Sequence, residues 1–416
     1  MSLPHPHQQA AIAGQPAQPF ASLLAGLADV PRDANAGIRL LECLLMEAWK
    51  ADITDVHLTP TADVLHIAVR RDGHLHRVGT LEAAAGRLML GRARVLARLP
   101  AADEALPQDG RFAVANATGQ PGIEVRAAFF PVIHGQRVVM RLPERRVELR
   151  LDAMGLPAPL ARSLERLALE VRDGLFLLTG PAGSGKTTAI YAMLHTMAQS
   201  PRQPNIMTLE DPVERELPGL LQTGIRPERG FDYPEAIRSV LRQDPDVIMI
   251  GEIRDPLSAR MAGRAALTGH YVLSTVHAGA ALAVPMRLDE LGLEPHVRRA
   301  VLRGAMAQRL VRRRCPACSS QGAPSAACAA CHGTGFAGRV PVAELYLAES
   351  HRHLLPTGSE AVDAEAHGGG GRWPMGGIDE AARKLIASQI IYSFEWSMSS
   401  REENMTSKDA TPNKSS

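Results

Sequence analysis

The sequence predicts an α/β protein in which a small α+β domain precedes a larger domain with a doubly wound parallel sheet. From about residue 151, apolar strand-like runs alternate with helical stretches, which is the pattern of βαβ units. The preceding segment combines one amphipathic helix with alternating apolar and polar residues, which is typical of antiparallel strands. A phosphate-binding glycine motif lies where the first parallel strand should end.

Four regions are predicted along the 416 residues. Residues 1–35, rich in Pro, Gln and Ala, should form a disordered N-terminal tail. Residues 36–145 form the α+β domain, and residues 146–350 form the larger domain, with a cysteine-bearing insert at 312–340. Residues 351–416 should form a divergent and largely disordered C-terminal tail.

Helical and strand-like periodicity places the elements of both domains. From Ile38, apolar residues recur at three- and four-residue intervals, so one face of a helix is apolar. Strands of the smaller domain are predicted at 64–69, 123–130 and 137–142, with turns at 71–73 and 134–136. Apolar strands of the larger domain are predicted at 175–179, 206–209, 247–250 and 271–275.

The glycine motif fits the pattern G-x-x-x-x-G-K-[ST] between a predicted strand and a predicted helix. Glycines let backbone N–H groups cradle phosphates, and the helix N-terminus adds positive potential. Lys186 should reach the β- and γ-phosphates of ATP, and Thr187 should ligate Mg²⁺. The predicted nucleotide-binding residues are Gly180, Pro181, Ala182, Gly183, Ser184, Gly185, Lys186, Thr187 and Thr188.

ATP hydrolysis needs a group that orients or deprotonates water, and carboxylates end two of the predicted strands. Ligands of doubly wound sheets bind beyond the carboxyl ends of the strands, so both carboxylates should face the loop. We interpret Glu252 as the general base or water-orienting residue and Glu210 as a residue that positions the metal shell or the water. The alternative for Glu252 is a strand-end turn carboxylate paired with Arg254. Because Gly251 stands where the generic motif has Asp, Mg²⁺ should depend on Thr187 and water-bridged carboxylates.

His277 closes a further predicted strand, where it is interpreted as a sensor of the γ-phosphate, with a structural histidine as the alternative. Five more blocks follow a recognisable pattern. They are an acidic-histidine block at 54–57, a block at 106–111, an aspartate box at 208–214, the segment 241–255 and a histidine box at 266–277. Together these residues resemble the secretion ATPase superfamily, and most of all the type II secretion and type IV pilus assembly ATPases.

The resemblance implies a PAS-like N-terminal domain followed by a RecA-like motor domain, in a homohexameric ring. It also implies an inner-membrane platform protein and a cytoplasmic docking domain of the secretion or pilus machinery as partners. The expected function is ATP hydrolysis that drives the assembly of type IV pilus or type II secretion pseudopilus fibres. A pilus retraction ATPase, a RecA-like nucleic-acid translocase and a nucleotide-binding scaffold without turnover are the alternatives.

The resemblance further implies arginines that reach the γ-phosphate. Arg126 and Arg141 occupy the matching positions on two predicted strands of the first domain. Arg238 and Arg242 match the pair in the motor domain, where their four-residue spacing predicts one helix face. A guanidinium suits this task because its planar fork neutralises developing phosphate charge. A solvated or ion-paired surface arginine is the alternative at each position.

Two cysteine pairs, Cys315 with Cys318 and Cys328 with Cys331, predict one structural zinc site, because four thiolates close a tetrahedral shell. The alternatives are a redox pair and a c-type haem, since Cys328 to His332 fits C-x-x-C-H. Similar cysteine pairs occur in the assembly members of the family that this sequence resembles, so the pairs favour fibre assembly over retraction.

Net charge, aromatic content and the length of apolar runs limit the expected partners and the expected cellular compartment. The formal charge is +2 and aromatics make up 4%, which does not favour a dedicated nucleic-acid partner. No run of about 18 apolar residues or signal sequence is recognisable. The expected location is therefore the cytoplasm, peripheral to the inner membrane.

Overall fold

The computed structural model describes residues 35–100, 105–114, 122–143, 148–319, 328–355 and 371–373, with Phe20, Leu27, Ala381 and Arg383. Most of the two predicted tails lies outside these residues. The chain divides into two compact units. The first contains Met1–Val147 and Arg314–Gly338, and the second contains Glu148–Arg313 and Arg339–Ser416.

The first unit is an antiparallel sheet with two helices. The helices are α1 (Ala36–Lys50) and α2 (Ala83–Leu96). The strands are β1 (Asp55–Pro60), β2 (Val64–Arg71), β3 (His74–Glu82), β4 (Gln108–Val114), β5 (Ile123–Val132) and β6 (Gly135–Arg141). Their order in the six-stranded sheet is β3-β2-β1-β6-β5-β4. The helix predicted from Ile38 and the three strands predicted in this region are confirmed.

Side-chain alternation gives this sheet one apolar and one polar face. Along β5, buried and exposed residues alternate from Ile123 to Phe130. The buried residues join a single core with the apolar sides of α1 and α2. The opposite face carries charged residues, and several of them are arginines at matching register positions. One face of this sheet is therefore available for polar chemistry.

The second unit is built on an eight-stranded sheet of order β14-β13-β12-β7-β11-β10-β8-β9. Its helices are α3 (Ala158–Glu170), α4 (Lys186–Ala198), α5 (Tyr233–Val240), α6 (Pro256–Leu267), α7 (Val284–Glu290) and α8 (Pro295–Val301). A short helix, α9 (Pro316–Ser319), follows β12 in the cysteine segment. The strands are β7 (Gly174–Thr179), β8 (Ile206–Glu210), β9 (Leu221–Gly224), β10 (Val247–Ile250), β11 (Tyr271–Thr275), β12 (Leu302–Arg314), β13 (Phe336–Leu347) and β14 (Gly371–Trp373).

The centre of this sheet is parallel and is buried on both faces. Strands β9, β8, β10, β11, β7 and β12 pair in parallel along the series. Leu175 and Leu177 of β7 pack into one apolar cluster, while Phe176 and Leu178 pack into another. Because successive side chains point to opposite faces, the two clusters lie on the two sides of the sheet. The four strands predicted here are confirmed, as is the doubly wound fold class.

Two features differ from the predicted boundaries. The cysteine segment 314–338 groups with the first unit, whereas the sequence placed the insert 312–340 in the larger domain. The reason lies in hydrogen bonds between this segment and the turn that joins β2 to β3. In addition, β14 pairs antiparallel with β13, although its residues fall in the predicted C-terminal tail.

Candidate nucleotide-binding site

The phosphate loop joins the end of β7 to the start of α4. Three of its glycines have positive φ, at 138° for Gly180, 71° for Gly183 and 86° for Gly185. A Cβ on Gly180 would lie 2.2 Å from the backbone oxygen of Gln308. Glycine is therefore required at this position both for its conformation and for the close approach of β12.

Gln308 of β12 braces this loop and was missed by the sequence analysis. Its side chain is buried, and its Nε2 donates a hydrogen bond of 2.8 Å to the backbone oxygen of Ser184. The sequence did carry one signal, because Gln308 is an amide that directly follows the apolar residues 305–307. A buried amide in a strand needs a partner, and here the partner is the loop.

Lys186 lies against the loop backbone. Its Nζ donates hydrogen bonds of 2.8 Å to the carbonyl oxygens of Gly180 and Pro181. Burial lowers the pKa of Lys186, while the negative charges of Glu252 and Glu214 act in the opposite direction. The ammonium group therefore shares one electrostatic environment with the carboxylate that follows β10.

Thr187 and Thr188 lie in the first turn of α4, which has Gly185 at its N-cap and begins at Lys186. The N-terminus of a helix carries unpaired N–H groups and partial positive charge, which suits an anion. A hydroxyl at this point, near carboxylates that influence Lys186, is a donor set of the oxygen type that Mg²⁺ prefers. The residues therefore fit the predicted phosphate and magnesium ligands.

Glu252 follows β10, and its side chain is only 19% exposed. One carboxylate oxygen pairs with Arg254, and the other lies 3.8 Å from Nε2 of His277. The structure thus contains the Arg254 pair that was the alternative for Glu252, and it also brings together the carboxylate, Lys186 and His277. Both the catalytic and the structural interpretation remain compatible with this arrangement.

Gly251 explains the departure from the generic motif. A Cβ at this position would lie 2.6 Å from the hydroxyl oxygen of Tyr233, so an Asp here would require the Tyr233 side chain to move. Burial raises the pKa of Tyr233, and the nearby charges of Glu252 and Asp211 raise it further. The phenol therefore stays neutral and fills the position that a second carboxylate would otherwise occupy.

Glu210 ends β8 as a buried carboxylate with several donors. Thr208 donates to its Oε1 at 2.5 Å and Gln222 at 3.1 Å, while the hydroxyl of Tyr191 donates to its Oε2. With 3% of its surface exposed, Glu210 is held mainly by protein groups. This geometry favours a positioning role through its neighbours over direct contact with a ligand.

The backbone that follows His277 is hydrogen-bonded to the end of β7, the strand that precedes the phosphate loop. His277 follows β11 and its side chain is 64% exposed. Thr179, the last residue of β7, donates from Oγ1 to the backbone oxygen of Ala278 at 2.6 Å and accepts from its N–H at 2.8 Å. One hydroxyl therefore links the backbone that follows His277 to the end of β7.

The two motor-domain arginines lie at the end of α5. Arg238 pairs with Glu235 at 2.6 Å and is half exposed. The helix ends at Val240, so Arg242 lies beyond it, and the predicted single helix face does not extend to both residues. The guanidinium of Arg242 donates to the backbone oxygen of Arg238 at 3.2 Å. Both side chains are exposed.

In the first unit, Arg126 and Arg141 are direct cross-strand partners on β5 and β6. Both are exposed. Nε of Arg141 donates a 3.0 Å hydrogen bond to Oδ1 of Asp55, which is buried at the start of β1. Because this bond uses Nε, the terminal nitrogens of Arg141 stay available for a further anion.

The four clustered cysteines converge. Their sulfur atoms all lie within 4.8 Å of one another, with 3.8 Å between Cys315 and Cys328 and 3.6 Å between Cys318 and Cys331. Tetrahedral zinc with Zn–S bonds of about 2.3 Å requires sulfur separations of about 3.8 Å. Backbone N–H groups, that of Cys331 first, lower the pKa of Cys328 and so favour its thiolate. The donor set and the spacing fit a structural zinc ion.

These features define the class of the protein. A mostly parallel sheet with a phosphate loop between β7 and α4 is a P-loop domain of RecA-like fold, preceded by a smaller α+β unit. The chain belongs to the family described as Type II/IV secretion system protein, whose family model matches residues 31–371. Among the described residues, no helix has the length and apolarity to cross a bilayer.

Three curated relatives illustrate this membership. Type II secretion system protein HxcR of Pseudomonas aeruginosa is 38% identical over 337 residues, covering 80% of this chain and 71% of the relative. Type II secretion system protein E of Klebsiella pneumoniae is 39% identical, covering 75% and 66%. Type IV pilus assembly ATPase PilB of Thermus thermophilus is 34% identical, covering 80% of this chain and only 39% of the relative. The resemblance read from the motifs is confirmed.

Solved structures give the same fold. The pilus retraction motor PilT with bound ADP matches with a TM-score of 0.51 and 25% identity, covering 77% of this chain and 84% of PilT. The ATPase DotB of Yersinia pseudotuberculosis matches with a TM-score of 0.60 and 20% identity, covering 87% and 93%. The likeness to DotB establishes the fold.

Proposed function

We propose that this chain hydrolyses ATP in a homohexameric ring and so drives assembly of type IV pilus or type II secretion pseudopilus fibres at the inner membrane. The observation that carries the proposal is the phosphate loop, with Lys186 in the same electrostatic environment as Glu252. The names of the secretion and pilus relatives supply the process. An inner-membrane platform protein and a cytoplasmic docking domain are the proposed partners.

ATP binding is assigned to the loop and to the start of α4. The backbone N–H groups of residues 180–188 would surround the phosphates, and Lys186 would exchange the carbonyls of Gly180 and Pro181 for phosphate oxygens. The hydroxyl of Thr187 would hold Mg²⁺, which supplies charge neutralisation at the phosphates when it is bound. Each group then faces the ligand that its chemistry prefers.

Hydrolysis is assigned to Glu252. Its carboxylate would orient or deprotonate the attacking water, and Arg254 holds one of its oxygens in place. His277, 3.8 Å from the other oxygen, would report the state of the γ-phosphate to β7 through Thr179. Glu210 would hold the end of β8 against α4 through Tyr191, and would thereby help to position the metal shell or the water.

Four arginines would neutralise the charge that develops on the γ-phosphate. Arg126 and Arg141 would supply it from the first unit, and Arg238 and Arg242 from the end of α5. Support comes from the exposure of all four side chains and from the bond between Asp55 and Arg141, which leaves two nitrogens of that arginine for a ligand.

Retraction is the second candidate function, and the match to the retraction motor PilT favours it. The four converging cysteines and the 34–39% identity to secretion and assembly relatives favour assembly. One structural zinc ion per chain, held by Cys315, Cys318, Cys328 and Cys331, belongs to this proposal.

The test is steady-state ATPase activity across a size-exclusion profile, with Glu252→Gln alongside. Activity in a hexamer-sized peak, lowered at least about 100-fold in a variant that still binds ATP, would support a ring ATPase with Glu252 in the chemistry. Wild-type turnover in Glu252→Gln would refute the catalytic assignment. Activity confined to monomer would refute the ring.

Assembly and retraction are separated by a cellular measurement. A strain lacking this chain should lose fibre assembly or secretion, and Glu252→Gln should fail to restore it. Fibres that instead accumulate in the deletion strain would show retraction.

A further inference from the structure

The cysteine segment 314–338 is hydrogen-bonded to the turn that joins β2 and β3. Nη2 of Arg71 donates to the backbone oxygen of Ala330 at 3.1 Å. The carboxylate of Asp72 accepts from the backbone N–H of Gly338 at 3.2 Å. Two adjacent residues, the last of β2 and the first of the turn, therefore hold two separate points of the segment, one beside Cys331 and one beyond it.

Arg71 is unusual for a turn cation because it is 94% buried, with 6% of its surface exposed. Its Nε lies 3.8 Å from the carboxylate of Asp72, yet Nε and Nη1 make no hydrogen bond to any described residue. The guanidinium lies 5.9 Å from the ring centre of Phe20, and that ring stacks on His332 at 5.3 Å. The Asp72 carboxylate supplies one negative charge, and a buried guanidinium with so few hydrogen bonds is stabilised further by additional negative charge nearby.

The cysteines can supply that charge. Four thiolates around one Zn²⁺ leave about two net negative charges. The peptide group between Ala330 and Cys331 connects the two sites, because its oxygen accepts from Arg71 while its nitrogen belongs to the ligand Cys331. Arg71 therefore fixes the backbone directly beside one of the four sulfur ligands.

We propose that Arg71 and Asp72 form an outer shell of the tetracysteine zinc site, so that zinc binding and docking of the segment 314–338 on the β2–β3 turn stabilise each other. The proposal rests on the proposed zinc site and not on ATP hydrolysis. Arg71 orients the peptide group that precedes the ligand Cys331, and Asp72 anchors the end of the segment. Such partners alter metal affinity although they never touch the metal.

The experiment measures Zn²⁺ binding to the full-length chain by competition with a chromophoric chelator. Arg71→Met keeps the length of the side chain but removes its charge and donors, and zinc affinity should fall about 10- to 100-fold. Arg71→Lys keeps the charge and should recover part of the affinity. Arg77→Met is the matched control, because Arg77 is an exposed arginine on the neighbouring strand β3, and its affinity should equal that of the wild type.

Hydrogen exchange at saturating zinc supplies the second readout. Amides of residues 328–338 should exchange faster in Arg71→Met and Asp72→Asn than in the wild type, even with zinc bound. Equal zinc affinity and equal exchange in Arg71→Met would overturn the proposal. If Arg71→Met does not fold, Asp72→Asn decides, because it weakens the bond to Gly338 and the 3.8 Å contact with Arg71 while it leaves the buried guanidinium in place. Wild-type protein with no zinc site would instead refute the proposed metal site itself.

Discussion

The two sheets of this molecule present the proposed functional residues in different ways. In the parallel sheet of the second unit, the proposed residues lie where a buried strand ends, so Lys186 and Glu252 each belong to a continuous motif beside an apolar run. In the antiparallel sheet of the first unit, the proposed residues are spread across one face. Arg126, Arg141 and Asp55 come from three strands and meet only through register. Residues at a strand end are therefore close together in the sequence, whereas residues on an open sheet face come from separate parts of the sequence.

The largest expected effect is on ATP affinity and concerns Lys186, which follows the end of β7. Lys186→Ala removes charge-assisted hydrogen bonds to phosphate, so ATP affinity should fall about 100-fold or more and turnover should be lost. Calorimetric titration with ATP measures the affinity. Lys50→Ala, at an exposed lysine paired with Glu47, is the control and should bind ATP normally. Unchanged ATP affinity in Lys186→Ala would show that the phosphate loop does not bind ATP.

The next effect tests whether the open face takes part in chemistry. Arg126→Ala should lower turnover about 100-fold while ATP affinity changes little, because the arginine acts on charge that develops during phosphoryl transfer. Comparison of kcat with ATP affinity measures this difference, with Arg77→Ala as the control. A loss of affinity with normal kcat would show that Arg126 serves docking alone.

A smaller effect is expected at the residue that positions the arginine. Asp55→Asn keeps the shape of the side chain but weakens its bond to Arg141, so kcat should fall about 10-fold, as expected for loss of one charge-assisted bond. In an Arg141→Ala background, the same change should have no further effect on kcat. Additive losses in the double variant would mean that Asp55 acts on stability and not through Arg141.

The smallest expected effect concerns Gln308, which supports the phosphate loop at the end of β7. Gln308→Ala removes the bond to Ser184, so the free energy of unfolding should fall by about 1 kcal/mol and KM for ATP should rise a few-fold. Chemical denaturation and steady-state kinetics measure these two quantities. Gln199→Ala, at an exposed glutamine after α4, should change neither. An unchanged KM in Gln308→Ala would limit that residue to structural support.

The same comparison explains what could be predicted from the sequence. The phosphate loop, the strands that carry it and the four cysteines follow from local pattern, and the structure agrees. Gln308 was missed because its partner Ser184 lies 124 residues away, and no local pattern encodes that contact. The donors around Glu210 likewise come from three separate segments.

Strand register and the positions where helices end were the other features that could not be predicted from the sequence. Asp55 was noticed only within an acidic-histidine block, because its pairing with Arg141 depends on the β1–β6 register. Arg242 was placed on a helix face from spacing alone, and the helix ends two residues earlier, at Val240. The grouping of the segment 314–338 with the first unit depends on tertiary contacts at Arg71, which cysteine spacing does not report.

The long separation between Arg71 and Ala330 has a consequence during synthesis. The two residues are 259 positions apart, and the whole parallel sheet up to β12 is encoded between them. At about 5–20 residues per second, a ribosome needs roughly 10–50 s to pass from one to the other. The first unit of the nascent chain is therefore synthesised well before its cysteine segment, and the buried site around Arg71 is completed only after most of the second unit has been translated.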